Sequence, residues 1–247
     1  MSALSDFADA LEFIVSEREA STGGVDIGGA SNLPLLWEHL QLTGFAMALA
    51  LAVALPLGLW LGHTGKAAFL AISASNVGRA VPSVALIALF VAFFPGTPEF
   101  LNVTLALALL AIPPILTNTY VGVRQVDRDA VDAARGMGMS GAGIVRSVEL
   151  PLALPLVFGG IRTSTVNVLA TATIAPLVGV LTLGDPIISG TVYGRSGQIG
   201  ASIIVALLAI AAEVGLGALQ RAVTPRGVRR PGRTTRQLIP TIRGGST

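Results

Sequence analysis

The stretch 128–151, RDAVDAARGMGMSGAGIVRSVELP, is a long charged interruption between two apolar blocks of the sequence. The chain around it has 247 residues, of which 52% are hydrophobic and 12% charged, and its mean hydropathy is +0.74. This composition is far too apolar for an ordinary soluble domain. The sequence therefore predicts a multi-spanning membrane protein that keeps one structured, charged loop on one side, where the loop docks a partner.

Five apolar segments are long enough to cross a membrane, which takes about 20 residues of helix. They are 42–61, 67–94, 101–120, 152–183 and 201–220. The sequence thus predicts an all-α polytopic bundle with about five core transmembrane helices. The second segment holds Arg79 and Pro82 at its middle, and we interpret it as one helix bent near Pro82, because each half alone is too short to cross. Pro82 is therefore a candidate gate hinge, and a plain bent helix end near water is the alternative.

Charged residues near the ends of the spans predict the orientation, because basic residues there are retained in the cytoplasm. Before the first span the chain carries one base, Arg18, and seven acids, and after the last span it carries seven arginines and no acid. These residues are Asp6, Asp9, Glu12, Glu17, Glu19, Asp26 and Glu38, then Arg221, Arg226, Arg229, Arg230, Arg233, Arg236 and Arg243. We expect an extracytoplasmic N-terminal segment, 1–40, a transmembrane domain, 41–221, with a cytoplasmic loop at 122–151, and a basic cytoplasmic tail, 222–247.

The two ends of the chain have simple interpretations. The N-terminal segment predicts a short amphipathic helix around Phe7, Leu11, Phe13 and Ile14, followed by a flexible stretch. The basic tail is attached directly to the last span, so it predicts contact with anionic headgroups of the lipid bilayer and no nucleic-acid partner.

The first half of the charged loop predicts a short helix. Asp129 is expected to cap this helix, with Asp132 in its first turn, since both acids complement the positive end of a helix dipole. Ala133 and Ala134 then supply a surface without bulk. Such a surface can seat in a groove of a partner protein.

The second half of the loop predicts a turn and another short helix. Gly136 and Gly138 are expected to end the first helix, because glycine readily takes the left-handed conformation there. Ser140 is expected to cap the second helix, 141–148, and Pro151 to separate that helix from the next span.

The spacing of this loop is similar to the signature of the inner-membrane permease subunits of ABC importers. The matching positions are Asp132, Ala133, Ala134, Gly138, Val148, Leu150 and Pro151. Aspartate stands where glutamate is usual and valine where isoleucine is usual, and both keep charge or shape. The resemblance implies a type I ABC importer permease whose cytoplasmic coupling helix docks two ATPase subunits, beside a second permease subunit that is identical or homologous. On charge alone, the alternative is a loop that only solubilises the span ends.

The membrane region resembles more narrowly the permeases of glycine betaine, carnitine, choline and other osmoprotectant importers that lack a fused binding domain. The resemblance rests on Trp37-Glu38-His39-Leu40, Pro56-Leu57-Gly58, Val81-Pro82-Ser83-Val84-Ala85-Leu86, Ile112-Pro113-Pro114-Ile115-Leu116-Thr117-Asn118-Thr119-Tyr120, and the segments 133–139 and 150–162. The stretch 178–185 departs from the usual glycine-rich turn. The resemblance implies an osmoprotectant substrate, a separate extracytoplasmic substrate-binding protein, and the inner membrane of a bacterial or archaeal cell.

Polar residues within the fourth span mark a candidate translocation path. Thr163, Asn167 and Thr171 recur at four-residue steps and share one helix face, which would let a polar zwitterionic solute pass. Alternatively, they hydrogen-bond neighbouring helices. Arg162 lies beside them, and Glu213 in the last span is its candidate partner, in an ion pair that we expect to be structural rather than part of the path.

The sequence predicts neither an enzyme nor a cofactor in this chain. It has no glycine-rich phosphate loop ending in Lys-Ser or Lys-Thr and no cysteine, and His39 and His63 have no partner at metal-ligand spacing. ATP and Mg would therefore be held by the partner ATPase. The competing hypotheses are a self-sufficient, ion-coupled secondary carrier of a small zwitterionic solute and a non-transporting scaffold. A carrier would show inverted repeats with paired acids in mid-membrane, and no convincing repeat is found.

Overall fold

The computed structural model describes residues 3–65, 73 and 81–224, which form a helical bundle with one small hairpin. The first elements in chain order are α1 (Ala3–Val15), β1 (Glu17–Glu19), β2 (Asp26–Gly28), a 3₁₀ turn (Gly29–Ser31), α2 (Asn32–Thr64), α3 (Ser83–Phe93) and α4 (Glu99–Arg124). They are followed by α5 (Arg128–Gly136), α6 (Gly141–Ile144), a π-helix (Val145–Glu149), α7 (Leu150–Ala172), a 3₁₀ turn (Ala175–Val178), α8 (Asp185–Ile188) and α9 (Gly190–Val223).

Four helical stretches of the described chain are long and apolar enough to cross a membrane. They are Gly29–Thr64, Glu99–Arg124, Gly141–Ala172 and Gly190–Val223, and they confirm four of the five predicted spans. The remaining span, 67–94, has its second half in α3, whose 11 residues are too short to cross alone. Most of its first half, including Arg79, lies outside the described residues, as does the tail after Thr224.

The first span begins earlier than the sequence predicts. Helix α2 starts at Asn32 instead of residue 42, and the polar residue His39 in its first part is buried, with its Nε2 donating to the carbonyl oxygen of Leu169 at 3.1 Å. The helix ends at Thr64. Gly65 follows with a φ of +70°, and its backbone N–H closes the last turn.

The predicted span 152–183 is wrong at its far end, because α7 stops at Ala172. The Thr182 hydroxyl donates to the carbonyl oxygen of Ala172 at 2.9 Å, so the chain folds back over the helix end instead of continuing it. A Cβ on Gly184 would lie 1.8 Å from the carbonyl oxygen of Thr173, which shows how closely the returning backbone approaches. The absence of a side chain at Gly184 allows that approach.

Close approach of small residues holds the central helices α2, α4 and α7 together. A Cβ on Gly58 or Gly62 of α2 would lie 2.7 Å from the Cβ of Thr119 and 2.6 Å from that of Val123, both in α4. A Cβ on Gly160 of α7 would lie 2.8 Å from the carbonyl oxygen of Pro114. Membrane helices commonly use small residues in this way, since lipid provides no hydrophobic force between helices.

The N-terminal segment packs on the beginning of the last span. The predicted amphipathic helix is confirmed as α1, and its Phe13 is fully buried against Gly200 of α9. The stretch 21–32, for which flexibility is predicted, contains β2, which pairs with β1 in an antiparallel hairpin where Arg18 lies opposite Ile27. Asp6 pairs with Arg195 at 3.2 Å, which ties the segment to α9 a second time.

Candidate coupling loop and polar cavities

The first helix of the charged loop, α5, is capped by Asp127. The Asp127 carboxylate accepts a hydrogen bond from the backbone N–H of Asp129 at 2.9 Å. The predicted cap at Asp129 is therefore wrong by two residues, because Asp127 is the last residue with an extended backbone and helical geometry starts at Arg128.

The tip of the loop exposes small residues around a sharp turn. Asp132 and Ala133 are exposed, and Asp132 pairs with Arg135 at 3.0 Å in an equally exposed ion pair. Gly138 has a φ of +80°, and a Cβ placed on it would meet nothing within 4 Å, so the surface in front of it is open. Ala134 is only 2% exposed, so it faces the interior of the loop and not its front.

An internal apolar cluster gives the loop its own small core. Val131 and Ala134 of α5 pack against Val126 and Ile144, and the signature residue Val148 packs on the same cluster. The aliphatic position of the signature therefore positions the two short helices against each other.

The second half of the loop runs without interruption into the membrane span. The Ser140 hydroxyl accepts from the backbone N–H of Gly143 at 3.2 Å, which confirms the predicted cap. Pro151 does not separate the helices as predicted, because residues 141–172 stay helical. The π-helix Val145–Glu149 lies directly before Leu150 and Pro151. Its wider turn accommodates a proline that cannot donate a backbone hydrogen bond and whose ring would clash in a regular helix.

Two residues that the sequence reasoning missed join the loop to the first span. Glu149 is fully buried, and His63 at the end of α2 donates from Nδ1 to its Oε2 at 2.7 Å. On its other side the His63 ring approaches Gly141, since a Cβ on Gly141 would lie 3.2 Å from Nε2. The imidazole ring therefore lies between Gly141 at the start of α6 and Glu149 at the end of the π-helix. The other carboxylate oxygen of Glu149 has no partner among the described residues. The position of Glu149 between the apolar residues Val148 and Leu150 hints that its side chain is buried, but it does not indicate the partner.

The predicted polar face of the fourth span lines one cavity. Thr163, Asn167 and Thr171 surround a space of about 470 Å³ together with Ser83 and with Leu110, Pro113, Pro114 and Ala170. Within the described residues the structure gives no hydrogen bond for Thr163 or Asn167. By contrast, the buried Ser164 hydroxyl donates to the carbonyl oxygen of Ala111 at 2.9 Å. The alternative prediction, that the polar face hydrogen-bonds a neighbouring helix, is met by the adjacent residue Ser164, which bonds to α4.

A second cavity, of about 680 Å³, adjoins the first along α7. It shares Thr163 and Asn167 with the first cavity and also contains Arg162 and Glu213. The predicted partnership of Arg162 with Glu213 is confirmed by an ion pair between them, and Arg162 also donates to Gln220 at 3.3 Å. The two cavities lie along one face of α7, with the charged pair at one end of the row formed by Thr163, Asn167 and Thr171 and apolar residues around it.

Pro82, the candidate hinge, lies directly before α3. Its backbone is extended, with φ −62° and ψ 124°, and it forms the N-terminal boundary of that helix. Because residues 74–80 are outside the described part, its role as a gate hinge stays a prediction.

A bundle of long apolar helices with a charged two-helix loop and cavities along one helix is typical of a membrane transport permease. The chain belongs to the family described as binding-protein-dependent transport system inner membrane component, which matches residues 54–228. It is therefore a multi-pass component of the inner membrane, and not an ATPase.

Among characterised relatives, the chain is 37% identical to the carnitine transport permease protein OpuCB of Listeria monocytogenes, over 81% of this chain and 92% of that protein. It is 36% identical to the choline transport system permease protein OpuBB of Bacillus subtilis, over 82% and 93% of the two chains. It is 32% identical to the osmoprotectant import permease protein OsmW of Salmonella typhimurium, over 79% and 93%.

Solved structures show the same fold. An inward-facing structure of the MetNI methionine ABC transporter matches with a TM-score of 0.71 and 21% identity, covering 78% of this chain and 96% of that one. The chain therefore has the all-α fold of type I ABC importer permeases, as the resemblance implied.

Proposed function

We propose that this chain is the permease subunit of an ATP-driven importer that carries an osmoprotectant, such as glycine betaine, choline or carnitine, delivered by a separate binding protein. The relatives that cover most of the chain are permeases of carnitine, choline and osmoprotectant transport, which supports this substrate class and not the ion-coupled secondary carrier. The exposed tip of the charged loop carries the proposal. Its small residues around Gly138 leave space for a docked ATPase.

In the assembled importer, two ATPase subunits hold ATP and Mg, and they press on the loops of two permeases, identical or homologous. The loop with its own apolar core transmits this displacement as a unit. The continuous helix from Gly141 to Ala172 carries it into the membrane, where Thr163, Asn167 and Thr171 line the path. The signature residues Asp132, Ala133, Ala134, Val148, Leu150 and Pro151 serve as the coupling segment.

The charge bias supports an orientation with the N-terminus outside and the C-terminus and loop inside. The segment 1–40 then lies on the extracytoplasmic side, the domain 41–221 spans the membrane with its coupling loop at 122–151, and the basic tail 222–247 lies against the cytoplasmic lipid surface. Pro82, directly before α3, is the hinge of a gate.

The decisive experiment compares two replacements of Gly138 in the importer reconstituted with its ATPase and binding protein. Gly138→Trp adds bulk at the tip and is expected to abolish ATP-dependent uptake while membrane insertion stays intact. Gly138→Asn is the matched control, because asparagine tolerates a positive φ and is much smaller, so it tests backbone strain separately. Uptake that survives the Trp variant would contradict the docking role, and uptake without ATP would contradict the importer.

A further inference from the structure

The ion pair of Arg162 and Glu213 is open to a cavity instead of being sealed between helices. Their side chains keep 33% and 42% of their surface exposed, and both line the cavity of about 680 Å³. Sites for small ligands typically measure about 300–1,000 Å³. A solute in this cavity could therefore reach both charges.

The cavity continues into the candidate translocation path. Thr163 and Asn167 line both this cavity and the smaller one that reaches Thr171. Arg162 lies on the same helix as Pro151, about 16 Å along it at 1.5 Å per residue. The charged pair is thus at the end of the polar surface that is nearer to the coupling loop.

A purely structural role explains the pair poorly. A charged side chain within a membrane helix is costly to insert, and a well-packed apolar pair often stabilises a contact as well as an ion pair does. Arg162 donates to Glu213 and to Gln220, yet its Nε has no partner in the described part of the chain. That Nε is itself buried, so a solute in the cavity reaches the guanidinium through the exposed third of the side chain.

We propose that Arg162 and Glu213 form a binding station for a zwitterionic solute within the membrane. The carboxylate of the solute accepts from Arg162, and its cationic end lies against the carboxylate of Glu213. A lone cation or anion would leave one member of the pair without a partner, whereas a zwitterion leaves both charges compensated. This inference rests on the proposed function, import of an osmoprotectant. It adds that the permease itself contributes to the selection of zwitterionic over cationic solutes.

The test measures solute binding by saturation-transfer NMR to the assembled importer in nanodiscs, without its binding protein. Glycine betaine is the zwitterionic probe, and choline is the probe that lacks a carboxylate. Arg162→Gln is expected to weaken glycine betaine binding about 10-fold to 100-fold, the loss of one charged hydrogen-bonded contact. It is expected to leave choline binding as strong or stronger, because it removes the charge that choline leaves unpaired. Glu213→Gln is expected to weaken the binding of both probes.

Matched variants separate a binding role from a structural one. Arg162→Lys keeps the charge and is expected to restore part of the glycine betaine signal. Thr165→Val, on the same helix, removes a hydroxyl that is already bonded to the carbonyl oxygen of Ile161 and is expected to change neither signal. Glycine betaine binding that survives Arg162→Gln, or equal loss of both probes together with a lower thermal midpoint, would overturn the inference. ATP-dependent uptake by the same wild-type preparation tests the proposed function separately.

Discussion

Gly58→Ala is expected to destabilise the protein relative to Gly44→Ala, although both glycines lie in the same helix α2. A Cβ at position 58 would lie 2.7 Å from the Cβ of Thr119 and 3.1 Å from the carbonyl oxygen of Leu116, whereas a Cβ at position 44 would meet nothing within 4 Å. Non-bonded carbon atoms prefer about 3.5–4.0 Å, so α2 and α4 must separate by roughly 1 Å at position 58. Overpacking of this kind costs about 1–3 kcal/mol.

The difference between Gly58→Ala and Gly44→Ala reports the contact of α2 with α4, because the effect of alanine on helix propensity is the same in both variants. Alanine favours a helix over glycine by about 1 kcal/mol, and this gain is common to both variants. The assay is thermal unfolding of each purified variant in the same detergent. One kcal/mol shifts Tm by about 2–4 °C in a chain of 150–250 residues, so Gly58→Ala should melt about 2–12 °C below Gly44→Ala. A midpoint for Gly58→Ala at or above that of Gly44→Ala would refute the close approach of the two helices.

Two further predictions concern buried contacts. His63→Leu leaves the carboxylate of Glu149 without its partner and is expected to lower the free energy of unfolding by about 1–3 kcal/mol, read as a lower thermal midpoint. His63→Gln keeps a donor and should lose less, and equal midpoints for His63→Leu and the wild type would argue against the bond. Gly184→Ala would place a Cβ 1.8 Å from the carbonyl oxygen of Thr173. It is expected to lower the free energy of unfolding by about 3 kcal/mol or more, and the measurement is the yield of folded protein, which should fall sharply. Gly215→Ala, where a Cβ meets nothing within 4 Å, is the control, and equal yields from the two variants would contradict the tight turn.

The spans were predictable because each is a local property of the sequence. About 20 apolar residues mark a helix that crosses a membrane, whatever it packs against. The partnership of Arg162 with Glu213 was also predictable, since charges are rare in spans and these two had few other possible partners. The common face of Thr163, Asn167 and Thr171 follows from helical periodicity alone.

Contacts between distant segments were not predictable. The bond between His63 and Glu149 joins residues that are 86 positions apart, and the sequence contains no signal that brings them together. The end of α7 at Ala172 depends on Thr182 folding back over it, which apolar composition cannot reveal. The cap at Asp127 was missed for a local reason, because three acids stand close together and spacing alone does not choose among them.

The π-helix Val145–Glu149 connects the coupling loop to the membrane span and so sets the direction in which the loop points around the axis of that helix. In a regular helix each residue turns the chain by about 100° and advances it by about 1.5 Å. Deleting one residue from this segment would therefore swing the exposed tip around Gly138 by more than a quarter of a circle relative to α7. An ATPase surface shaped for the original direction would then meet a different side of the loop. Under the proposed docking role, the number of residues between Gly138 and Pro151 sets the direction in which the loop meets the ATPase, so insertions or deletions there are expected to reduce uptake more than substitutions do.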